Sequence, residues 1–247
     1  MDNIQDIIED LVLWLREKVN DAQAEGLVFG LSGGVDSAVM AGISKLAFPD
    51  TSLGLIMPCH SNPIDEEHGL LVAKALNLEV KKIDLTYTFD SLINASNLDI
   101  QHDMAMANIK PRLRMTTLYY FAQSYNYLVA GSSNKSEFTI GYFTKHGDSG
   151  ADILPLADFV KDEIWQLARA LNIPDIIIDK KPSAGLWDNQ TDEDEMGFGY
   201  DVLDSYIKTG KGPRAIVERI DNMNRITHHK RQFPPIYEYN KYFHPTE

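Results

Sequence analysis

The sequence predicts an α/β protein built on a parallel β-sheet with helices on both faces. Two observations carry this reading. Short apolar, β-branched runs stand at 27–31, 53–57, 79–83 and 127–130, and helix-patterned segments separate them at 37–47, 65–76 and 103–125. A strand–helix–strand succession returns the chain to the same end of the sheet each time, so the strands run parallel and the helices cover them.

In chain order, Asp2-Asn-Ile-Gln5 can cap a first helix that places Ile4, Ile7, Ile8, Leu11 and Leu15 on one face. The first strand, Leu27-Val-Phe-Gly-Leu31, runs straight into Ser32-Gly33-Gly34-Val35-Asp36-Ser37, where the next helix begins. After the fourth strand, helices are expected at 158–170, 194–208 and 213–226. The acidic stretch 179–193, with its Gly and Pro, reads as an exposed functional loop, and 84–100 as a second loop. No linker, low-complexity tract or internal repeat divides the 247 residues, so a single domain over 1–247 is expected.

The 36 acidic and 23 basic side chains leave a net charge of -13, which argues against general binding to nucleic acid or to an anionic membrane. An anionic small molecule remains compatible, because a site needs only local cations and backbone N–H groups. The N-terminal residues are acidic and helical in pattern, and no apolar stretch is long enough to span a bilayer, so a cytoplasmic protein is expected. Cys59 is the only cysteine, which excludes an intrachain disulfide and a multi-cysteine metal site. It reads first as a buried structural thiol.

The turn after the first strand carries the most chemistry. Gly30-Leu31-Ser32-Gly33-Gly34 can present backbone N–H groups to an anion, since glycines permit tight or left-handed turns and leave no side chain in the way. A phosphate or pyrophosphate is the expected ligand at such a strand-to-helix turn. Neither the dinucleotide Gly-x-Gly-x-x-Gly nor the P-loop spacing is present. An isolated Ser-Gly-Gly is also an ordinary capping turn. The strand before it and Asp36-Ser37 after it favour the anion site.

Ser32-Gly-Gly-Val-Asp-Ser37 resembles the marker of the N-type ATP pyrophosphatase superfamily, which cleaves ATP between its α and β phosphates and adenylates an oxygen of a second substrate. Further motifs narrow the resemblance: Gly131-Ser-Ser-Asn-Lys-Ser-Glu137, Gly141-Tyr-Phe-Thr-Lys-His-Gly-Asp-Ser-Gly-Ala-Asp152, Lys181-Pro-Ser-Ala-Gly-Leu186, Gln190-Thr-Asp-Glu193 and His228-His-Lys-Arg231. In this order they resemble the ammonia-dependent NAD synthetases over essentially the whole chain. The resemblance implies a Rossmann-like sheet of the adenine nucleotide alpha hydrolase type and a homodimer. It also implies amidation of nicotinic acid adenine dinucleotide (deamido-NAD) by ammonia through an acyl adenylate, giving NAD, AMP and pyrophosphate.

The same resemblance assigns roles. Gly30, Leu31, Ser32, Gly33, Gly34, Val35, Asp36, Ser37, Ser132, Lys161 and Ser183 match ATP positions, and Asp36 and Glu137 match the Mg2+ carboxylates. Asp36, Glu137 and Lys161 form the expected catalytic set, with Lys161 neutralising phosphate charge as pyrophosphate leaves. Arg112, Lys145, Asp152, His229 and Lys230 match positions for deamido-NAD. Apart from the resemblance, Lys161 reads as a surface lysine, Glu137 as a solvated carboxylate, the two serines as turn residues and the terminal basic cluster as a solvated tail.

The chain departs from the family at Pro58-Cys-His-Ser-Asn-Pro-Ile-Asp-Glu-Glu-His68-Gly69, where Asp65-Glu66 survives while His68-Gly69 replaces the usual Asp-Ala. The length leaves no room for a nitrilase-like glutaminase domain, so free ammonia, or a separate ammonia source, is the implied nitrogen donor. A metal-hydrolase reading lacks a histidine pair at zinc-ligand spacing, and Cys59 lacks an assignable base and orienting group. Two other readings stay open: another adenylating amidotransferase or sulfurtransferase of the superfamily, told apart by its acceptor, and a non-catalytic nucleotide-binding protein, told apart by the absence of AMP formation.

Overall fold

The computed structural model describes residues 4–98, 102–183, 185 and 191–237. Four strands, β1 (Gly26–Gly30), β2 (Ser52–Ile56), β3 (Glu79–Lys82) and β4 (Tyr127–Val129), form one sheet in the order β3-β2-β1-β4. All pairings are parallel, with Leu27 opposite Ser52 and Val28 opposite Val129. Beyond β4, Ala130 bridges in parallel to Ile153.

Strand alternation sorts the core into two faces. Leu27, Phe29 and Leu31 pack on one side with residues of helices α1 (Ile4–Asp21) and α2 (Val35–Ala47). Val28 packs on the other with Leu53, Leu55 and Val129. Helix α3 (Pro63–Leu76) follows β2, starting on Pro63 with Asn62 Oδ1 accepting from Ile64 N as its cap. Helix α2 is buried almost all round, Ala38 to Ser44 without a break, as expected of a helix lying between the sheet and an outer helical layer.

The segment expected as a loop at 84–100 contains helix α4 (Thr86–Ser96). Asp84 Oδ1 accepts from Thr86 N at its start, and Asn97 ends it in the left-handed region; residues 99 and 100 lie outside the described residues. The helix expected at 103–125 is two, α5 (Asp103–Ala107) and α6 (Ile109–Tyr125). Pro111 supplies the reason: it has no N–H for the Ala107 carbonyl, and its ring crowds that carbonyl.

Helix α7 (Lys135–Ile140) begins within the Gly131–Glu137 motif and was not expected from the sequence. Helix α8 (Lys161–Ala170) starts three residues later than 158, and the short α9 (Asp175–Ile178) follows it. The helix expected at 194–208 is divided into α10 (Asp192–Met196) and α11 (Tyr200–Thr209) by Gly197, which sits at φ +76°. Helix α12 (Arg214–Ile226) is followed by a single 3-10 turn at His228–Lys230. Ile140, Met196, Tyr200, Leu203 and Ile220 join α7, α10, α11 and α12 around a smaller core, and Trp165 packs against both this core and the main one. The proposed cap at Asp2 falls outside the described residues.

Candidate active site

The sheet places a cavity of about 760 Å3 over the carboxyl ends of its strands. The chain leaves β1 toward β2 on one side and β4 lies on the other, so β1 and β4 flank the crevice where parallel sheets take ligands. Leu31 and Ser32 beyond β1, Met57 beyond β2, and Gly131 and Ser132 beyond β4 all reach the cavity wall.

The turn at 32–37 has the form needed for an anion. Gly33 adopts φ +76°, and a Cβ there would meet Asp65 O at 2.4 Å. Gly34, by contrast, is in ordinary extended backbone at φ -97°. Ser37 Oγ donates to Gly34 O at 2.9 Å and accepts from Ser32 N at 3.2 Å, which closes the turn on itself. Helix α2 carries no side-chain cap, so its first N–H groups and the positive end of its dipole face the cavity.

At the edge of this turn stands a buried charge cluster. Lys161 Nζ donates to Asp36 Oδ2 at 2.5 Å and lies 3.8 Å from Glu137 Oε1. The Lys161 side chain is 2% exposed, so the pair lies well out of water. Burial alone would push the Lys161 ammonium down, but Asp36 and Glu137 more than offset it and hold it above the ordinary lysine range. Burial and then Asp36 push the Glu137 carboxyl up to about 8, against the pull of Lys161.

Asn134 organises both carboxylates. Its Oδ1 accepts from Glu137 N at 3.0 Å, Glu137 Oε2 accepts from Asn134 N at 3.3 Å, and its Nδ2 donates to Asp36 Oδ1 at 2.8 Å. This is a capping box with a third arm. Neither the box nor the reach to Asp36, which spans 98 residues, is among the expectations drawn from the sequence.

Asp192 closes the cluster from α10: Tyr200 OH donates to its Oδ2 at 2.9 Å, and its Oδ1 is buried without a hydrogen-bond partner among the described residues. Burial pushes this carboxyl up. Opposite, Lys180 Nζ donates to Asp65 Oδ1 at 2.6 Å and Gly33 O at 3.3 Å, tying the segment after α9 to the anion turn. Ser183 sits on the cavity wall, where its Oγ accepts from Gly185 N; residues 184 and 186–190 of the expected 179–193 loop lie outside the described residues.

The positions expected to hold the second nucleotide divide. Lys230 reaches the cavity, donating to Gly141 O at 2.8 Å and Phe143 O at 2.7 Å, and burial pushes its ammonium down. Arg112, Lys145, His229 and Asp152 do not line this chain's cavity. Arg112 donates to Lys145 O, and Lys145 Nζ to His229 O at 2.8 Å, so these three form one chain of contacts outside it. Asp152 accepts from Tyr119 OH at 3.0 Å and from Val129 N at 2.8 Å. Arg114 was missed: it lines the cavity, donates to Met57 O and Ser61 Oγ, and burial pushes its guanidinium down.

The divergent 58–69 segment borders the cavity at Pro58, at His60 to Pro63 and at Asp65 and Glu66. Its His68-Gly69 pair packs: a Cβ at Gly69 would lie 3.3 Å from Leu31 O and from Ile56 Cδ1, and the His68 Cβ lies 2.9 Å from where a Gly33 Cβ would stand. Cys59 is fully buried, and burial pushes its thiol up, so it is a structural thiol. No group of three or more His, Cys, Asp or Glu side chains suited to a metal converges among the described residues.

A family model described as NAD synthase matches residues 7–234. The chain belongs to the NAD synthase family. It is 51% identical to the NH(3)-dependent NAD(+) synthetase of Carboxydothermus hydrogenoformans over 95% of this chain and 98% of that one. Among solved structures it superposes on the NMN synthetase of Francisella tularensis with a TM-score of 0.93 at 35% identity, covering 97% of this chain and 100% of that one. It superposes on the NH3-dependent NAD synthetase of Campylobacter jejuni with a TM-score of 0.81 at 31% identity, covering 96% and 100%. The NAD synthase fold is thus the α/β architecture expected from the sequence, and no helix among the described residues is long and apolar enough to cross a membrane.

Proposed function

We infer that the chain is an ammonia-dependent NAD synthetase that uses ATP to amidate deamido-NAD, releasing AMP and pyrophosphate. The observation that carries this is the junction of an uncapped helix N-terminus with the Asp36–Lys161–Glu137 cluster, at the switch point of a parallel sheet.

In this reading the turn at Ser32–Ser37 receives the ATP phosphates, and Lys161 offsets charge that accumulates on the departing pyrophosphate. The nicotinate carboxylate attacks the α phosphorus, and ammonia then displaces AMP from the acyl adenylate. Lys230 supplies positive charge to the second nucleotide. Arg112, Lys145, His229 and Asp152, lying off one chain's cavity, act on a substrate shared across a homodimer.

Asp36 and Glu137 fit a magnesium ion: both carboxylates already accommodate a cation, Lys161, between them, and magnesium is commonly held by one or two carboxylates plus substrate phosphates. When bound it neutralises phosphate charge.

The test is chromatography of products from purified protein, Mg-ATP and deamido-NAD, with ammonium and glutamine supplied separately. NAD, AMP and pyrophosphate with ammonium and not glutamine are expected; AMP formation without NAD would redirect the reading to another acceptor, and nucleotide binding without AMP to a non-catalytic protein. The TM-score of 0.93 to a chain described as NMN synthetase favours one second reading, in which the mononucleotide is the preferred acceptor. Comparing kcat/KM for nicotinic acid mononucleotide with that for deamido-NAD decides between the two.

A further inference from the structure

Helix α8 begins on Lys161, yet its N-cap residue is Val160, whose side chain cannot accept a hydrogen bond. Half of a capping box is present, since Val160 N donates to Glu163 Oε2 at 2.9 Å. The reciprocal half, a side-chain acceptor for the first helical N–H groups, has to come from elsewhere, because buried N–H groups without partners are costly.

It comes from two other helices. Lys161 N donates to Ser136 Oγ at 3.1 Å, and Asp162 N donates to Asp204 Oδ2 at 2.8 Å. Ser136 Oγ in turn donates to Asp204 Oδ1 at 2.6 Å. Ser136 is 0% exposed and Asp204 4%, so water does not substitute for either. A Val at the N-cap is compatible with the fold because Val160 itself is buried in the core; the polar function has been moved to α7 and α11.

The consequence concerns the site. Ser136 is the neighbour of Glu137, and the first residue of the borrowed-cap helix is Lys161. One carboxylate on α11 therefore ties the helix carrying Glu137 to the helix carrying Lys161. We propose that Asp204 is a positioning residue for Lys161: with Ser136 as relay, its carboxylate replaces the missing local cap of α8 and fixes the ammonium between Asp36 and Glu137. The kinetic part of this rests on the reading of Lys161 as the group that faces the ATP phosphates.

Asp204→Asn keeps the shape but turns one acceptor into a donor, and Ser136→Ala removes the relay with a smaller change should the first variant fail to fold. Helix-cap losses correspond to about tenfold in an equilibrium, so each variant is expected to lower kcat about tenfold with each nucleotide KM within about threefold. The double variant falls no more than about twofold below the weaker single, since both act on one network. Acylation of Lys161 by an amine reagent, followed by mass spectrometry and referenced to the exposed Lys74, is expected to rise about tenfold in either variant without substrate.

A kcat within twofold of the parent together with unchanged Lys161 labelling, whatever the loss of Tm, would reduce Asp204 to a structural cap and overturn the proposal. Additive losses in the double variant would overturn it as well. If the parent chain makes no NAD, the functional reading fails, and the labelling experiment still decides whether Asp204 holds Lys161.

Discussion

At the scale of single residues, the site is a problem in charge placement. Asp36, Glu137 and Asp192 surround one buried ammonium, and the surplus of negative charge falls most heavily on Glu137, pushed up to about 8 by burial and by Asp36. A carboxyl raised in the folded state contributes stability that is complete below its ordinary value of 4.5 and is lost as pH rises through about 8. Thermal unfolding without nucleotide or metal should therefore show Tm falling between about pH 5 and pH 9. Glu137→Gln should flatten that fall and raise Tm at the alkaline end by a few degrees, because Gln keeps the capping box and carries no charge. An identical pH slope in the variant would remove this account. Turnover in Glu137→Gln should drop at least about a hundredfold if the carboxylate holds the metal.

At the scale of elements, the anion turn depends on its fit against α3. Gly33 combines a left-handed φ with a would-be Cβ 2.4 Å from the Asp65 carbonyl, and the clash is with backbone, which cannot swing aside. Gly33→Ala should destabilise the protein by about 1–3 kcal/mol, read by denaturant unfolding, and weaken ATP binding at the same time. Gly34→Ala is the contrast: its backbone is extended and its nearest neighbour is Ser32 Oγ at 3.5 Å, so its effect on stability should be within about 1 kcal/mol. Equal losses in the two variants would show that the left-handed turn is not what the sequence requires there. The same scale explains the elements that sequence periodicity misplaced. Pro111 and Gly197 each sit within an otherwise helical pattern and end a helix, and apolar spacing does not register either.

At the scale of the whole molecule, one chain gathers most of the expected ATP machinery and only part of the machinery for the second nucleotide. Lys230 reaches the cavity, while Arg112, Lys145 and His229 hold one another outside it. In the proposed reading, a substrate shared by two chains would account for this division. Light scattering should accordingly give about twice the 27.8 kDa chain mass. Arg112→Ala should raise the KM for deamido-NAD at least about tenfold while leaving that for ATP within about twofold. A monomeric active protein would return these residues to a surface role.

The order of strands and helices was legible in the sequence because burial imposes a period on each element, and the anion turn because only certain residues tolerate its backbone. Asn134 shows where legibility stops: its cap on Glu137 is local in the chain yet belongs to a helix not expected from the sequence, and its grip on Asp36 depends on β1 and β4 becoming neighbours. Lys161 reads as a surface lysine along the chain and is buried in the fold. Sequence by itself determined the architecture, the glycine turn between β1 and α2 and the family to which its motifs point. Tertiary structure decided which distant charges meet, that Lys161 is held between two carboxylates, and that the helix presenting it takes its cap from Asp204. The physical reason is one of range: propensity and periodicity act over a turn or two, while a buried charge is set by every group that packing brings within a few ångströms of it.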